Sequence, residues 1–97
     1  MDTNSAKLLI VDDDEFGRSV TSRLLQKEGY SDFDMAENGS IALKKIREND
    51  YDAIMLDVEM PELDGFGVLE ELQKDMRLRD IPVIMISGVD ETASVIR

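Results

Sequence analysis

Cysteine and histidine are both absent from this chain of 97 residues. Without cysteine the chain can form no disulfide and no thiolate zinc site. Without histidine it can hold neither a Ser-His-Asp triad nor an imidazole acid–base catalyst. Any metal ion that this sequence binds must therefore be held by oxygen atoms.

Positive charge is also scarce. The chain has 11 Lys and Arg residues against 22 Asp and Glu residues, which gives a formal net charge of −11. A field of this sign repels phosphate backbones and anionic membranes, so we expect no direct nucleic-acid binding by this chain. It suits a cation or a basic partner instead.

Long apolar runs are missing as well. The N-terminal sequence MDTNSAK lacks the hydrophobic core of a signal peptide, and the longest apolar runs span only a few residues. We therefore expect a cytoplasmic protein without a membrane segment. Hydrophobic residues still make up 42% of the sequence, which is enough to build the core of one domain.

Short apolar strands alternate with amphipathic helices along the chain. The sequence predicts strands at 7–11, 52–57 and 82–87, with a weaker strand at 32–37. Uniformly apolar strands are typical of a parallel sheet that helices cover on both faces. The predicted fold class is therefore α/β, a doubly wound parallel sheet.

The predicted helices are defined by apolar residues at helical spacing and by residues that cap or end them. Gly29 is expected to end the first helix, Asn38 to cap the second and Asp64 to cap the third. The residues at 91–97 are expected to begin a further helix. The apolar residues used for the first three helices are Phe16, Val20 and Leu24; Ile41, Ala42, Leu43 and Ile46; and Phe66, Leu69, Leu72 and Met76.

Polar residues follow three of the predicted strands at the point where each strand ends. Asp12 and Asp13 follow the first strand, while Asp57 ends the third and Ser87 the fourth. The carboxyl ends of parallel strands meet at one edge of the sheet, where such folds bind their ligands. Three carboxylates about 4 Å apart would repel by roughly 4 kcal/mol per pair at an effective dielectric constant near 20. A Mg²⁺ ion would relieve that repulsion.

Each of these residues also has a simpler interpretation. The acidic run before the first helix can act only as an N-cap in the favourable field of the helix dipole. Asp57 can be a loop residue, and Ser87 followed by Gly88 can be a turn. The convergence of all three strand ends on one edge is what favours a binding site.

Three segments resemble the signature segments of response-regulator receiver domains of two-component signalling, including the chemotaxis-type receivers. They read LLIVDDDEF, DAIMLDVEMPELDGFGVLEEL and IPVIMISG, and the resemblance covers nearly the whole chain. It implies a flavodoxin-like sheet, of order 2-1-3-4 for the strands predicted here.

The resemblance also implies a role for each site residue. Asp57 would be the phosphoacceptor, which takes a phosphoryl group from a sensor histidine kinase or a phosphotransfer protein. Asp13 and Asp57 would bind Mg²⁺ directly, Asp12 more indirectly through water, and Glu59 through its backbone carbonyl. Ser87 would be the switch residue that contacts the phosphoryl group and alters the binding of an output domain or a downstream protein. The remaining two residues, Pro61 and Gly65, would shape the loop after Asp57.

Receiver domains usually continue into a fifth strand and a fifth helix, with a lysine that contacts the phosphoryl group. We therefore expect residues 1–97 to be a receiver domain that is incomplete at its C-terminus. The fourth strand would then be an unpaired edge, and apolar surface would lie open where the fifth helix usually packs. Both features favour self-association.

Three functions remain open at this point. The first is a phosphorylation-controlled signalling module that catalyses its own phosphorylation and dephosphorylation but is otherwise no enzyme. The second is a Mg²⁺-dependent phosphohydrolase with an aspartyl nucleophile, for which Glu59 stands two residues after Asp57 as an acid–base group. The third is a pseudo-receiver, an interaction domain that works without phosphorylation.

Overall fold

The described residues form a five-stranded sheet at the centre of the molecule. The computed structural model describes residues 5–57, 60, 64–86 and 93–96. Among the helices in these ranges, none combines the length and the apolar character that crossing a bilayer requires. The elements in chain order are β1 (Lys7–Val11), α1 (Glu15–Lys27), β2 (Asp32–Ala36), α2 (Gly39–Glu48), β3 (Ala53–Asp57), α3 (Gly65–Gln73), β4 (Val83–Ile86) and β5 (Ala93–Ile96).

The first four strands are parallel. β1 pairs with β2 on one side and with β3 on the other, and β3 pairs with β4. The predicted α/β class and the strand order 2-1-3-4 are therefore confirmed. Four of the five residues of β1 are buried, as expected for a strand with helices on both faces of its sheet.

The helices begin where the local sequence predicts, and α1 also ends there. The side chains of Asp14, Asn38 and Asp64 cap α1, α2 and α3 by accepting a hydrogen bond from a backbone N–H in the first turn. Gly29 follows α1 with φ of 98°, a left-handed conformation that glycine adopts at little cost.

The apolar face predicted for α1 is wrong. Phe16 and Leu24 are 75% and 58% exposed, while the neighbouring Leu25 is buried against β1. A spacing of four residues predicts which side chains share a face, but it does not say which face meets the sheet. In α3 the predicted face is partly confirmed, since Leu72 is buried and Leu69 packs against the core, whereas Phe66 is exposed; Met76 lies beyond the end of the helix and is also exposed.

The last described segment is a strand, so the prediction that a helix begins at 91–97 is wrong. β5 pairs with β4 in antiparallel orientation, with Val83 opposite Ile96 and Ile86 opposite Ala93. Valine and isoleucine favour strands, and β4 offers this segment a partner. β4 is consequently not an edge strand, and the predicted self-association through an unpaired β4 loses its premise.

The main core lies on one side of the sheet. It joins β1, β3 and β4 to α2 and α3 and includes residues that are completely buried, among them Leu9, Ile46, Ile54 and Val68. A smaller cluster on the other side contains Leu8, Ile10 and Leu25. Because β1 and β3 are fixed from both sides, the residues at their carboxyl ends are held on a rigid support.

Candidate metal and phosphoryl site

Asp12 follows β1 and is held at three points. Its backbone N–H donates to the carbonyl of Ala36, at 3.1 Å, which extends the pairing of β1 with β2. Its carbonyl oxygen accepts a hydrogen bond from Nη1 of Arg18, at 2.8 Å. Its side-chain Oδ1 accepts from the backbone N–H of Asp14, at 3.0 Å. The carboxylate therefore has a fixed place at the edge of the sheet.

Asp13 and Asp57 complete a group of three carboxylates. Asp57 is the last residue of β3, the strand beside β1. One carboxylate oxygen from each of Asp12, Asp13 and Asp57 lies within 4.8 Å of the other two. Asp13 is exposed, whereas Asp12 and Asp57 are half-buried. The structure thus brings together the three acidic residues that the sequence placed at this edge.

The acidic run before α1 divides into two roles. Asp14 is the N-cap, because its Oδ2 accepts from the backbone N–H of Gly17 at 3.3 Å. The simpler interpretation of the run as a helix cap therefore holds for Asp14. It does not hold for Asp12 and Asp13, whose carboxylates lie near Asp57 instead.

Repulsion within this group is substantial even though solvent reaches it. At the largest separation of 4.8 Å, each pair of full charges repels by about 0.9 kcal/mol in a water-like medium and by about 3.5 kcal/mol at an effective dielectric constant of 20. The exposure of Asp13 favours the lower value. A bound cation would turn this cost into attraction.

The donor set fits Mg²⁺. All three side chains offer carboxylate oxygens, the ligand type that this ion prefers, and the open side leaves room for the waters that it keeps. Octahedral Mg²⁺ with bonds of about 2.0–2.1 Å places its ligand atoms about 3–4 Å apart. The carboxylate oxygens of the group, at separations of up to 4.8 Å, already lie near that spacing.

Three predicted site residues, Ser87, Glu59 and Pro61, lie outside the described residues. Ser87 follows Ile86, which stands opposite Asp57 in the pairing of β3 with β4. The structure places Gly65 as the first residue of α3, where it is buried, and not in the loop. A helical backbone is open to every residue type, so unusual backbone angles do not explain the glycine at this position.

Sequence reasoning missed two residues of α1 that contact Asp12. Arg18 donates to the carbonyl of Asp12, and Gly17 lies against its carboxylate. The signal was present, since both follow Asp12 by little more than one helical turn, but an arginine on a helix is usually a solvated surface residue. The start of α1 lies against the end of β1, and this packing brings both residues to the site.

A second polar cluster lies near the amino ends of β1 and β3. The hydroxyl of the buried Tyr51 donates to Oδ2 of Asp34, at 2.6 Å, and Nζ of Lys7 lies 5.4 Å from the centre of the Tyr51 ring. Burial raises the pKa of Tyr51, and the hydrogen bond and negative charge of Asp34 raise that pKa further. This cluster is remote from the three carboxylates along both strands and supports the fold.

Comparison with known proteins gives consistent matches. The family model of the response regulator receiver domain matches residues 8–97. The probable transcriptional regulator ycf27 of Cyanidium caldarium is 43% identical over 84 residues, which are 87% of this chain and 32% of that protein, so the chain spans about a third of this relative. The chemotaxis protein CheY1 of Helicobacter pylori is 36% identical over 91 residues, which are 93% of this chain and 73% of that protein. The response regulator TrrA of Thermotoga maritima, solved in complex with Mg(2+)-BeF, is 38% identical with a TM-score of 0.79, covering 88% of this chain and 71% of that chain.

Proposed function

Since the chain belongs to the response regulator receiver domains of two-component signalling, we propose that it accepts a phosphoryl group on Asp57 in a reaction that needs Mg²⁺. The donor is a phosphohistidine of a sensor histidine kinase or a phosphotransfer protein. Phosphorylation then changes how the domain binds an output domain or a downstream protein. The protein works as a switch in the cytoplasm and turns over no metabolite.

One observation carries this proposal. The carboxylate of Asp57 ends a central strand and lies within 4.8 Å of those of Asp12 and Asp13, on the adjacent strand end. A carboxylate can attack phosphorus and form an acyl phosphate, but an incoming phosphoryl group is itself anionic and would be repelled by this group. The cluster therefore needs a divalent cation before Asp57 can act as the nucleophile.

Each carboxylate has its own task in this mechanism. Asp13, the exposed member, and Asp57 would hold the ion directly, the half-buried Asp12 would act through a water, and the backbone carbonyl of Glu59 would be the remaining contribution from the chain. When bound, Mg²⁺ offsets the negative charge that the phosphoryl oxygens develop during in-line transfer. One carboxylate oxygen of Asp57 attacks phosphorus while the bond from phosphorus to the donor nitrogen breaks.

Ser87 is the residue that responds to phosphorylation of Asp57. This residue directly follows Ile86, which is paired with Asp57 across the sheet. A phosphoryl group brings about −1.5 to −2 charge and three strong acceptor oxygens, which attract a hydroxyl donor. Movement of Ser87 toward Asp57 would carry the change to the surface that partners bind.

Intact-mass spectrometry with acetyl phosphate tests the proposal. We expect one added phosphoryl group in the presence of Mg²⁺ and none after chelation with EDTA. Asp57→Asn should abolish the addition, while the matched control Asp80→Asn, which removes an exposed carboxylate before β4, should leave it unchanged. Labelling that persists in Asp57→Asn, or that ignores the metal, would refute the assignment. Continuous hydrolysis of a simple phosphate ester would favour a phosphohydrolase instead.

A further inference from the structure

We propose that Gly17 is a positioning residue for the metal site, because the missing side chain at this position leaves the space that the carboxylate of Asp12 occupies. The inference rests on the proposed Mg²⁺ site, of which Asp12 is a member. Gly17 itself contacts no metal and acts only through Asp12.

The space around Gly17 is filled by one side chain. A Cβ atom built on Gly17 would lie well inside contact distance of Oδ2 of Asp12, 3.1 Å from its Cγ and 3.4 Å from its Oδ1. All three nearest atoms belong to the same carboxylate. Even the smallest side chain at this position must therefore displace that carboxylate or move the helix away from it.

The carboxylate of Asp12 cannot move without disturbing the proposed metal site. Its backbone is fixed by the hydrogen bond to Ala36 on one side and by that from Arg18 on the other. Only rotation of its side chain remains, and such a rotation breaks the bond from the backbone N–H of Asp14 to Oδ1. It also changes the position of the carboxylate relative to Asp13 and Asp57.

Helix propensity works in the opposite direction. Gly17 is the third residue of α1, where alanine forms helix more readily than glycine. The N–H group that Gly17 donates to the cap residue Asp14 would be retained by alanine. Gly17→Ala should consequently change the stability of the metal-free domain little, because the gain in helix propensity offsets the lost hydrogen bond to Asp12, while it weakens Mg²⁺ binding; general structural damage does not produce this combination.

The test is a Mg²⁺ titration of the full 97-residue chain, followed by amide chemical shifts in NMR spectra. We expect Gly17→Ala to raise the Kd for Mg²⁺ by about tenfold or more, the range in which residues that orient metal ligands act. Gly67→Ala is the matched control, because Gly67 is the third residue of α3 and donates its N–H to the cap residue Asp64, at 2.9 Å. Its Kd should equal that of the wild type.

A double-mutant cycle identifies the route of the effect. When Asp12→Ala has already removed the carboxylate, Gly17→Ala should cause no further loss of affinity. A full additional loss in that background would overturn the positioning role, as would an unchanged Kd in the single variant. In the metal-free spectra, the amide of Asp14 should shift in Gly17→Ala, and no shift there would equally count against the inference.

The proposed function and this inference fail in different ways. A wild-type protein whose residues 12–14 and 57 show no response to Mg²⁺ would overturn both. A wild-type protein that binds Mg²⁺ and is labelled at Asp57, with Gly17→Ala binding the ion equally well, would overturn only the role of Gly17.

Discussion

Removing one charge from the carboxylate group should stabilise the metal-free domain. Asp13→Asn is the most suitable change, since Asp13 is exposed and asparagine keeps its size. Asp13 takes part in two repulsive pairs, with Asp12 and with Asp57, at separations of up to 4.8 Å. With the water-like dielectric that fits an exposed group, relief of both pairs amounts to about 1–2 kcal/mol in the free energy of unfolding.

Mg²⁺ should offset most of the stability advantage that Asp13→Asn has over the wild type. An ion at about ten times its Kd stabilises the wild type by about 1.4 kcal/mol, whereas Asp13→Asn, having lost the direct ligand, should gain far less. Urea unfolding in EDTA and in Mg²⁺ measures both effects. In 1 M salt, where the screening length is about 3 Å, the advantage of the metal-free variant should shrink.

Asp14→Asn is the control for this experiment. It removes the same charge one residue away, and asparagine caps a helix about as well as aspartate, so the cap of α1 survives. Its stability should respond to Mg²⁺ as the wild type does. The reasoning would be refuted if Asp13→Asn destabilised the metal-free domain, or if it gained as much from Mg²⁺ as the wild type.

Three further predictions concern the fold. Tyr51→Phe removes the hydroxyl that donates to Asp34 and should lower the free energy of unfolding by about 1–2 kcal/mol in urea titrations. Because the pKa of Tyr51 is raised in the folded state, the folded protein keeps this proton when the unfolded chain loses it; wild-type stability should therefore fall as the pH rises above about 10, and less steeply in Tyr51→Phe. Asn38→Ala deletes the acceptor for the N–H of Ile41, at 2.8 Å, and should cost about 1 kcal/mol, with Asn38→Asp as the control that retains the cap. Leu56→Ala removes most of a completely buried side chain and leaves a cavity, so it should lower the free energy of unfolding by about 2–5 kcal/mol in the same assay. Leu56→Met should lower it less.

The strands and the acidic site could be predicted because their signals are local. An apolar run that ends in a carboxylate occurs at Val11 and again at Leu56, and in a parallel sheet the ends of neighbouring strands necessarily meet. The caps at Asp14, Asn38 and Asp64 are local for the same reason, since each depends on a hydrogen bond within one turn of its helix.

The errors concern features that depend on distant parts of the chain. Phe16 and Leu24 lie on one face of α1, but only the packing of the helix decides that this face is exposed and that Leu25 is buried. β5 forms because β4 offers it a partner, which the sequence of 93–96 does not reveal. The contact between Gly17 and Asp12 is local, but it was missed because only the structure shows that the carboxylate of Asp12 lies against the helix.

Locating the phosphoryl group on the chain tests the central claim most directly. The protein is treated with acetyl phosphate and Mg²⁺ and then reduced with borohydride, which converts an aspartyl phosphate to homoserine, and its peptides are sequenced by mass spectrometry. We predict homoserine at position 57 alone, with none when EDTA replaces Mg²⁺. Homoserine at position 12 or 13, or unmodified aspartate at position 57 in a protein that carries the added phosphoryl mass, would contradict the account.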